Sequence, residues 1–178
     1  MTHHRRRNNG TDPSKINETV ELSPAQRYAA FKQTQAKQRT VAAEFARSMP
    51  FELDEFQMQA NDALEAGDNV LVAAPTGAGK TVAADFAIYL AQTRNVKAFY
   101  TPPIKALSNQ KYHDLVDQYG TDKVGLLTGD TSINSEADIV VMTTEVLRNM
   151  LYEHSVTLEA LRYVILDEVH YLADRFRG

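Results

Sequence analysis

Residues Ala74-Pro-Thr-Gly-Ala-Gly-Lys-Thr81 constrain this chain more than any other stretch. They follow the apolar run Asn69-Val-Leu-Val-Ala-Ala74 and open an apolar-periodic segment over residues 80–92. Strand, glycine-rich turn, helix is the layout of a phosphate loop, with Ala74 where the strict pattern has glycine. Gly77 and Gly79 let the backbone bend until successive N–H groups point inward at phosphate oxygens. The following helix brings its positive end to the same point. Lys80 adds a full charge toward the β- and γ-phosphates, and the Thr81 hydroxyl can ligate Mg²⁺. Pro75, Thr76 and Ala78 complete the loop. A turn that binds nothing fits the same letters. The flanking strand and helix favour the nucleotide.

A second segment supplies what the loop lacks. Arg162-Tyr-Val-Ile-Leu-Asp-Glu-Val-His170 reads as an apolar strand ending in two carboxylates, 87 residues beyond Lys80. An ATP-hydrolysing site needs one carboxylate to hold Mg²⁺ through its water shell and another to orient or deprotonate the attacking water. Asp167 suits the first role and Glu168 the second. Alone, such a pair is an ordinary solvated strand end; beside a phosphate loop in the same α/β unit it reads as function. His170 gains meaning only within Asp-Glu-Val-His.

The rest of the chain fits around these two segments. Strands are expected at 69–74, 96–100, 123–127, 138–142 and 162–167, and helices at 54–66, 80–92, 105–119 and 144–153. That alternation predicts an α/β domain with a mainly parallel sheet. Its strands read as continuous apolar runs, as expected when both sheet faces are covered. Upstream, Ser23-Pro24 is a helix start. Tyr28, Phe31, Val41, Phe45 and Met49 then make an imperfect stripe through residue 48, with a polar middle that suggests a helix projecting from the core. The expected organisation is a disordered basic tail over 1–22, a helical extension over 23–49 and an ATP-binding domain over 50–178.

Composition sets the outer limits. The 178 residues include no cysteine, which removes disulfides, zinc-thiolate sites and cysteine nucleophiles and fits a cytoplasmic protein. No apolar run approaches the ~18 residues of a membrane span. The net charge of −4 divides unevenly, with +5 over residues 1–50 and −9 over the remainder. The basic arm can touch nucleic acid, although a solvated tail is the simpler account of Arg5–Arg7.

Taken in order, the motifs resemble those of superfamily-two DExH helicases, and most closely the superkiller-like RNA helicases with their actinobacterial relatives. Phe51-Glu-Leu-Asp-Glu-Phe-Gln57 resembles that family's adenine-recognition segment, and 74–81 its motif I. Thr101-Pro-Pro-Ile-Lys-Ala-Leu-Ser-Asn-Gln-Lys-Tyr112 resembles motif Ia. Gly125–Asp130 and Met142–Arg148 resemble the two later strand-contacting segments, and 167–178 is similar to motif II with its subfamily extension.

The resemblance implies a RecA-like phosphate-loop NTPase fold, the first helicase domain, using ATP and Mg²⁺. It implies that Gln57, with Phe51 nearby, reads adenine, and that His170 couples this domain to a second one. It implies further that Pro103, Lys105, Asn109, Thr128, Gly129, Thr144 and Arg148 lie along a track for single-stranded nucleic acid, RNA in preference to DNA. Such residues suit a sugar-phosphate backbone. Each taken singly is also an ordinary loop or cap residue, and Thr144 reads equally well as a helix cap. The family's motif III and second domain are not in these residues. The expectation is therefore a monomeric, incomplete N-terminal part of a longer helicase, binding nucleotide weakly and not unwinding duplexes by itself. A non-catalytic nucleotide-gated binding module, a DNA helicase of the same superfamily and an unrelated phosphate-loop ATPase are the competing readings; the last leaves 101–112 and 142–148 unexplained.

Overall fold

A computed structural model describes residues 23–37, 39–153 and 155–169. The expected tail over 1–22, together with His170 and the segment after it, lies outside the described residues. The chain divides into two compact units, one up to Arg39 and the other from Thr40 onward.

The first unit contributes helix α1 (Pro24–Lys37). Its start is the expected one. The Ser23 hydroxyl accepts from the Gln26 N–H, and the Gln26 side chain accepts in return from the Ser23 N–H. This reciprocal box satisfies two donors that a helix start leaves open. Tyr28 and Phe31 are exposed.

The single helix expected through residue 48 is two helices. Arg39 and Thr40 lie in a turn and a bend, and Thr40 caps a separate α2 (Val41–Ser48). Its hydroxyl accepts from Ala43 N–H. The Glu65 carboxylate accepts from Val41 N–H at 3.0 Å and Ala42 N–H at 2.7 Å. A carboxylate on the first N–H groups of a helix meets both unpaired donors and the positive helix end. So anchored, α2 buries Ala42 and Phe45 rather than projecting from the core.

The second unit continues with α3 (Glu55–Ala66), α4 (Thr81–Thr93), β1 (Lys97–Thr101), α5 (Lys105–Tyr119), β2 (Val124–Leu127), β3 (Ser132–Ile133), β4 (Ile139–Met142), α6 (Thr144–Tyr152) and β5 (Leu161–Leu166). The sheet order is β3-β2-β4-β1-β5. β2, β4, β1 and β5 run parallel, and the short β3 adds an antiparallel edge on β2.

Alternation along the strands divides the core into layers. Tyr100, Ile139 and Val141 face Ile88 of α4 and Leu115 of α5. Phe99, Val140 and Met142 face the other way, toward Leu147 of α6. A third cluster joins Ala42 and Phe45 to Val82, Phe86 and Leu90 of α4, with the Phe45 and Phe86 rings 5.2 Å apart.

One expected strand is absent. Residues 69–74 are extended but belong to no ladder, and Leu71 is 77% exposed. Strand geometry needs a neighbour for its N–H and C=O groups, and among the described residues none lies beside this run. β5 differs from expectation in a related way. Among the described residues it pairs with β1 alone, and Val164 and Leu166 on one of its faces are roughly half exposed. The apolar run over 162–166 is therefore covered on one face only among the described residues. No helix among those residues is long and apolar enough to cross a membrane.

Candidate active site

Parallel strands put all their C-terminal ends at one edge of the sheet, where ligands of open α/β sheets bind. Register places Thr101 beside Leu166 and Leu127 beside Met142. Pro103 and Lys105 therefore follow β1 at that edge, Thr128 and Gly129 follow β2, Thr144 follows β4, and Asp167 and Glu168 follow β5. The phosphate loop comes to the same end by way of α4. Arg94, just past the C-terminus of α4, donates to the Tyr163 hydroxyl in the first half of β5 at 2.6 Å. Asp85, near the start of α4, pairs with Lys111, whose ammonium lies over the Tyr100 ring near the end of β1. Helix α4 thus runs opposite to the strands, and its N-terminal end lies toward Asp167.

The loop has the backbone its glycines permit. Gly77 has φ +82° and Gly79 φ +75°. Pro75, Thr76 and Gly77 are exposed, as is Thr81 at the first position of α4, while Ala74, Ala78, Gly79 and Lys80 are half-buried. The Lys80 ammonium donates to the Ala74 carbonyl at 2.9 Å, which folds its stem across the loop.

Gln57 is buried and spans two segments. Its Oε1 accepts from Asp54 N–H at 2.8 Å, completing a capping box at the start of α3. Its Nε2 donates to the Gly79 carbonyl at 3.1 Å and to the Ala78 carbonyl at 3.4 Å. The segment expected to read adenine is thereby bonded to the loop expected to hold phosphate. Phe51, also assigned to adenine, is exposed.

Asp167 is held at both oxygens. Oδ2 accepts from the Tyr100 hydroxyl at 2.8 Å and Oδ1 from Glu168 N–H at 2.9 Å. Behind it, the Asp167 N–H donates to the Thr101 carbonyl, and the Thr101 hydroxyl donates to the Ile165 carbonyl. Glu168 is exposed at φ +49°, a left-handed conformation rare for a residue with a side chain. Burial, followed by the charge of Asp167, pushes the Tyr100 phenol far above its ordinary value. It is a proton donor throughout the neutral range.

The nucleic-acid candidates fall into two groups. Lys105 at the start of α5 forms an ion pair with Asp130, and the buried Thr128 hydroxyl donates to the same carboxylate at 3.0 Å. The Lys105 and Thr128 hydrogen bonds hold the Asp130 carboxyl below its usual range. Asn109 is half-buried on α5, and Pro103 precedes that helix. Thr144 and the exposed Arg148 stand on α6. The cap of α6 is Thr143, so Thr144 is the first helical residue and the capping account does not apply to it.

Sequence reading missed Tyr100, Lys111, Asp85 and Asp130. Tyr100 and Asp85 sit inside an expected strand and helix and look like core and surface there. The signal for Asp130 was its place at the end of the segment Gly125–Asp130.

Residues 54–178 match the DEAD/DEAH box helicase family. The chain belongs to the DEAD/DEAH box helicase family. The expected RecA-like α/β fold and superkiller-like kinship hold. The chain is 61% identical over 134 residues to "Probable helicase HelY" of Mycobacterium tuberculosis, covering 75% of this chain and 15% of that protein. It is 52% identical over 133 residues to "Antiviral helicase SKI2" of Saccharomyces cerevisiae, covering 75% of this chain and 10% of the other. Among solved structures, a hypothetical ATP-dependent RNA helicase from Sulfolobus tokodaii aligns with a TM-score of 0.56 at 27% identity, over 75% of this chain and 42% of its own. The DUF1998 helicase MrfA bound to DNA and AMPPNP aligns with a TM-score of 0.59 at 28% identity, over 74% and 21%. The chain thus spans between a tenth and a sixth of these curated relatives.

Proposed function

We propose that this helicase domain binds Mg-ATP between the phosphate loop and Asp167, and single-stranded nucleic acid along the strand ends. RNA is preferred to DNA, in a monomeric protein that unwinds only together with a second domain. The observation that carries this reading is the antiparallel run of α4 against β5, with the loop and the carboxylate pair at one end. Loop N–H groups and Lys80 take the phosphates. Gln57 and Phe51 take the adenine side, and the Gln57 bonds to Ala78 and Gly79 make adenine contact and loop geometry interdependent.

The donor set suits Mg²⁺. This cation keeps most of its waters and needs only one or two protein oxygens. Asp167 has lone pairs beyond its two hydrogen bonds, Thr81 is exposed at the helix start, and no cluster of three or more His, Asp or Glu exists among the described residues. Thr81 and Asp167 would hold Mg²⁺, which would neutralise charge on the β- and γ-phosphates. Glu168 orients the attacking water and accepts its proton as the oxygen approaches the γ-phosphorus.

RNA is favoured because relatives carry names such as "ATP-dependent RNA helicase mtr4" of Schizosaccharomyces pombe, 48% identical over 133 residues. MrfA, bound to DNA, supports the competing polynucleotide. Titrating a fluorescent ATP analogue into wild type and Lys80→Ala, then single-stranded RNA and DNA of one sequence, tests the reading. Tenfold or greater loss of nucleotide affinity in Lys80→Ala and tighter binding of RNA are expected. Equal nucleotide affinity in both proteins removes the loop assignment, and tighter DNA binding reverses the substrate preference.

A further inference from the structure

Tyr100 is the largest fully buried side chain among the described residues, at 2% exposure, yet it ends in a hydroxyl. A strand residue chosen for packing alone has no use for that oxygen, and burying it without a partner is costly. Its partner is Asp167 Oδ2, 2.8 Å away. The ring cannot swing aside, because it belongs to the cluster of Ile88, Leu115, Val124, Ile139 and Val141. A charged clamp holds it as well. The Lys111 ammonium of α5 lies 4.8 Å from the ring centroid and 2.9 Å from Asp85 Oδ1 of α4. Two helices and two strands therefore meet at one phenol, and the phenol meets one carboxylate.

We propose that Tyr100 is a positioning residue for the Mg²⁺ site, donating a hydrogen bond to Asp167 Oδ2 so that the carboxylate is set before the cation arrives, with Lys111 and Asp85 holding the ring. The inference rests on the reading of Asp167 as the carboxylate that holds Mg²⁺. With Oδ2 tied to Tyr100 and Oδ1 to Glu168 N–H, rotation of the carboxylate costs both bonds, and the remaining lone pairs keep one direction. Groups that orient a metal-binding side chain in this way typically change metal affinity by about 10- to 100-fold when removed. Lys111 extends the arrangement to α5, the helix that begins with Lys105 and carries Asn109. The element bearing two nucleic-acid candidates is thereby joined to the metal site through a single aromatic ring.

The test is equilibrium binding of N-methylanthraniloyl-ADP, titrated with Mg²⁺, by wild type, Tyr100→Phe, Lys111→Met and Asp167→Asn. Tyr100→Phe keeps the packing and removes only the hydroxyl. Affinity without Mg²⁺ should match wild type, while the Mg²⁺ midpoint rises about tenfold or more. Lys111→Met removes the cation at similar length and should raise the midpoint less. Asp167→Asn should abolish the Mg²⁺-dependent gain. An unchanged midpoint in Tyr100→Phe, with the gain lost in Asp167→Asn, overturns the positioning role and leaves the assignment of Asp167 standing. A gain that survives in Asp167→Asn overturns that assignment and the positioning role with it. A normal midpoint in Lys111→Met overturns the clamp even if Tyr100→Phe is impaired.

Discussion

The side-chain amide of Gln57 donates to the carbonyl of Gly79 across 3.1 Å, and a Cβ on Gly79 would come within 2.6 Å of that same nitrogen. The glycine therefore answers two demands, a positive φ and close approach by a neighbouring segment. Gly77 answers only the first, since among the described residues no atom beyond its two chain neighbours lies within 4 Å of where its Cβ would be. Gly79→Ala should cost more stability than Gly77→Ala, for which strain of about 1–2 kcal/mol is expected. Removing the clash partner in Gln57→Ala/Gly79→Ala should recover part of the difference. Denaturant unfolding of the three variants measures it, and equal losses for both glycines would contradict the close-approach argument.

The Glu65 carboxylate should decide whether α2 stays docked. Its two bonds to the start of that helix lie 24 and 23 residues away in sequence, so they join separate elements. Glu65→Ala should lower stability by about 1–2 kcal/mol, the range for losing a helix cap with its charge–dipole contribution. Chemical denaturation at low and high salt checks it, with the larger loss at low salt.

Residues 69–74 should behave as an unpaired segment despite their strand-like composition. Amides of Val70–Ala73 should exchange with deuterium far faster than those of β1 and β4. Leu71→Ala should stay within about 0.5 kcal/mol of wild type, since the side chain is mostly in solvent. Val140→Ala, in fully buried β4, should cost roughly 2 kcal/mol or more. Strong protection of Val70–Ala73 would show that the run has a strand partner.

Asp130 should restrain the proposed nucleic-acid contact of Lys105. Asp130→Asn frees the ammonium from its ion pair, so single-stranded RNA should bind more tightly at low salt. The slope of log affinity against log salt should steepen by about 0.7, the value for one added phosphate contact on a single strand. Filter binding over a salt series reads both changes, and an unchanged slope would place Lys105 outside the track.

Alkali should weaken the domain through Tyr119. Burial, then the nearby charge of Asp85, pushes its phenol up from 10.0 to about 12. The unfolded chain releases this proton first, so the stability that neutral Tyr119 contributes is complete below pH 10. It falls as pH rises through about 12. Tyr119→Phe should flatten that part of the stability curve, as followed by urea unfolding between neutral and alkaline pH.

Much of this was legible in the residues because the signals are local. The expected helix over 105–119 is α5 residue for residue, since Gly120 ends an amphipathic run that no distant contact has to rescue. Four of five expected strands lie within one residue of their observed bounds at each end. The helix expected through residue 48 divides at Thr40 because Glu65 offers the second half a cap, a partner that no local pattern reveals. The run over 69–74 had every property of a strand except, among the described residues, a neighbour.

The order of α and β elements, the phosphate loop with its two glycines, and the pairing of that loop with a later Asp-Glu at a strand end are written in the residues themselves. These follow from side-chain period, glycine placement and charge, which act over a few residues. Which strands find partners, that Gln57 bonds the loop it accompanies, and that a buried tyrosine fixes the direction of Asp167 emerge with packing. Hydrogen bonds among groups 22 and 67 residues apart exist only once packing has brought them together, and satisfying buried polar atoms at that stage selects the partner.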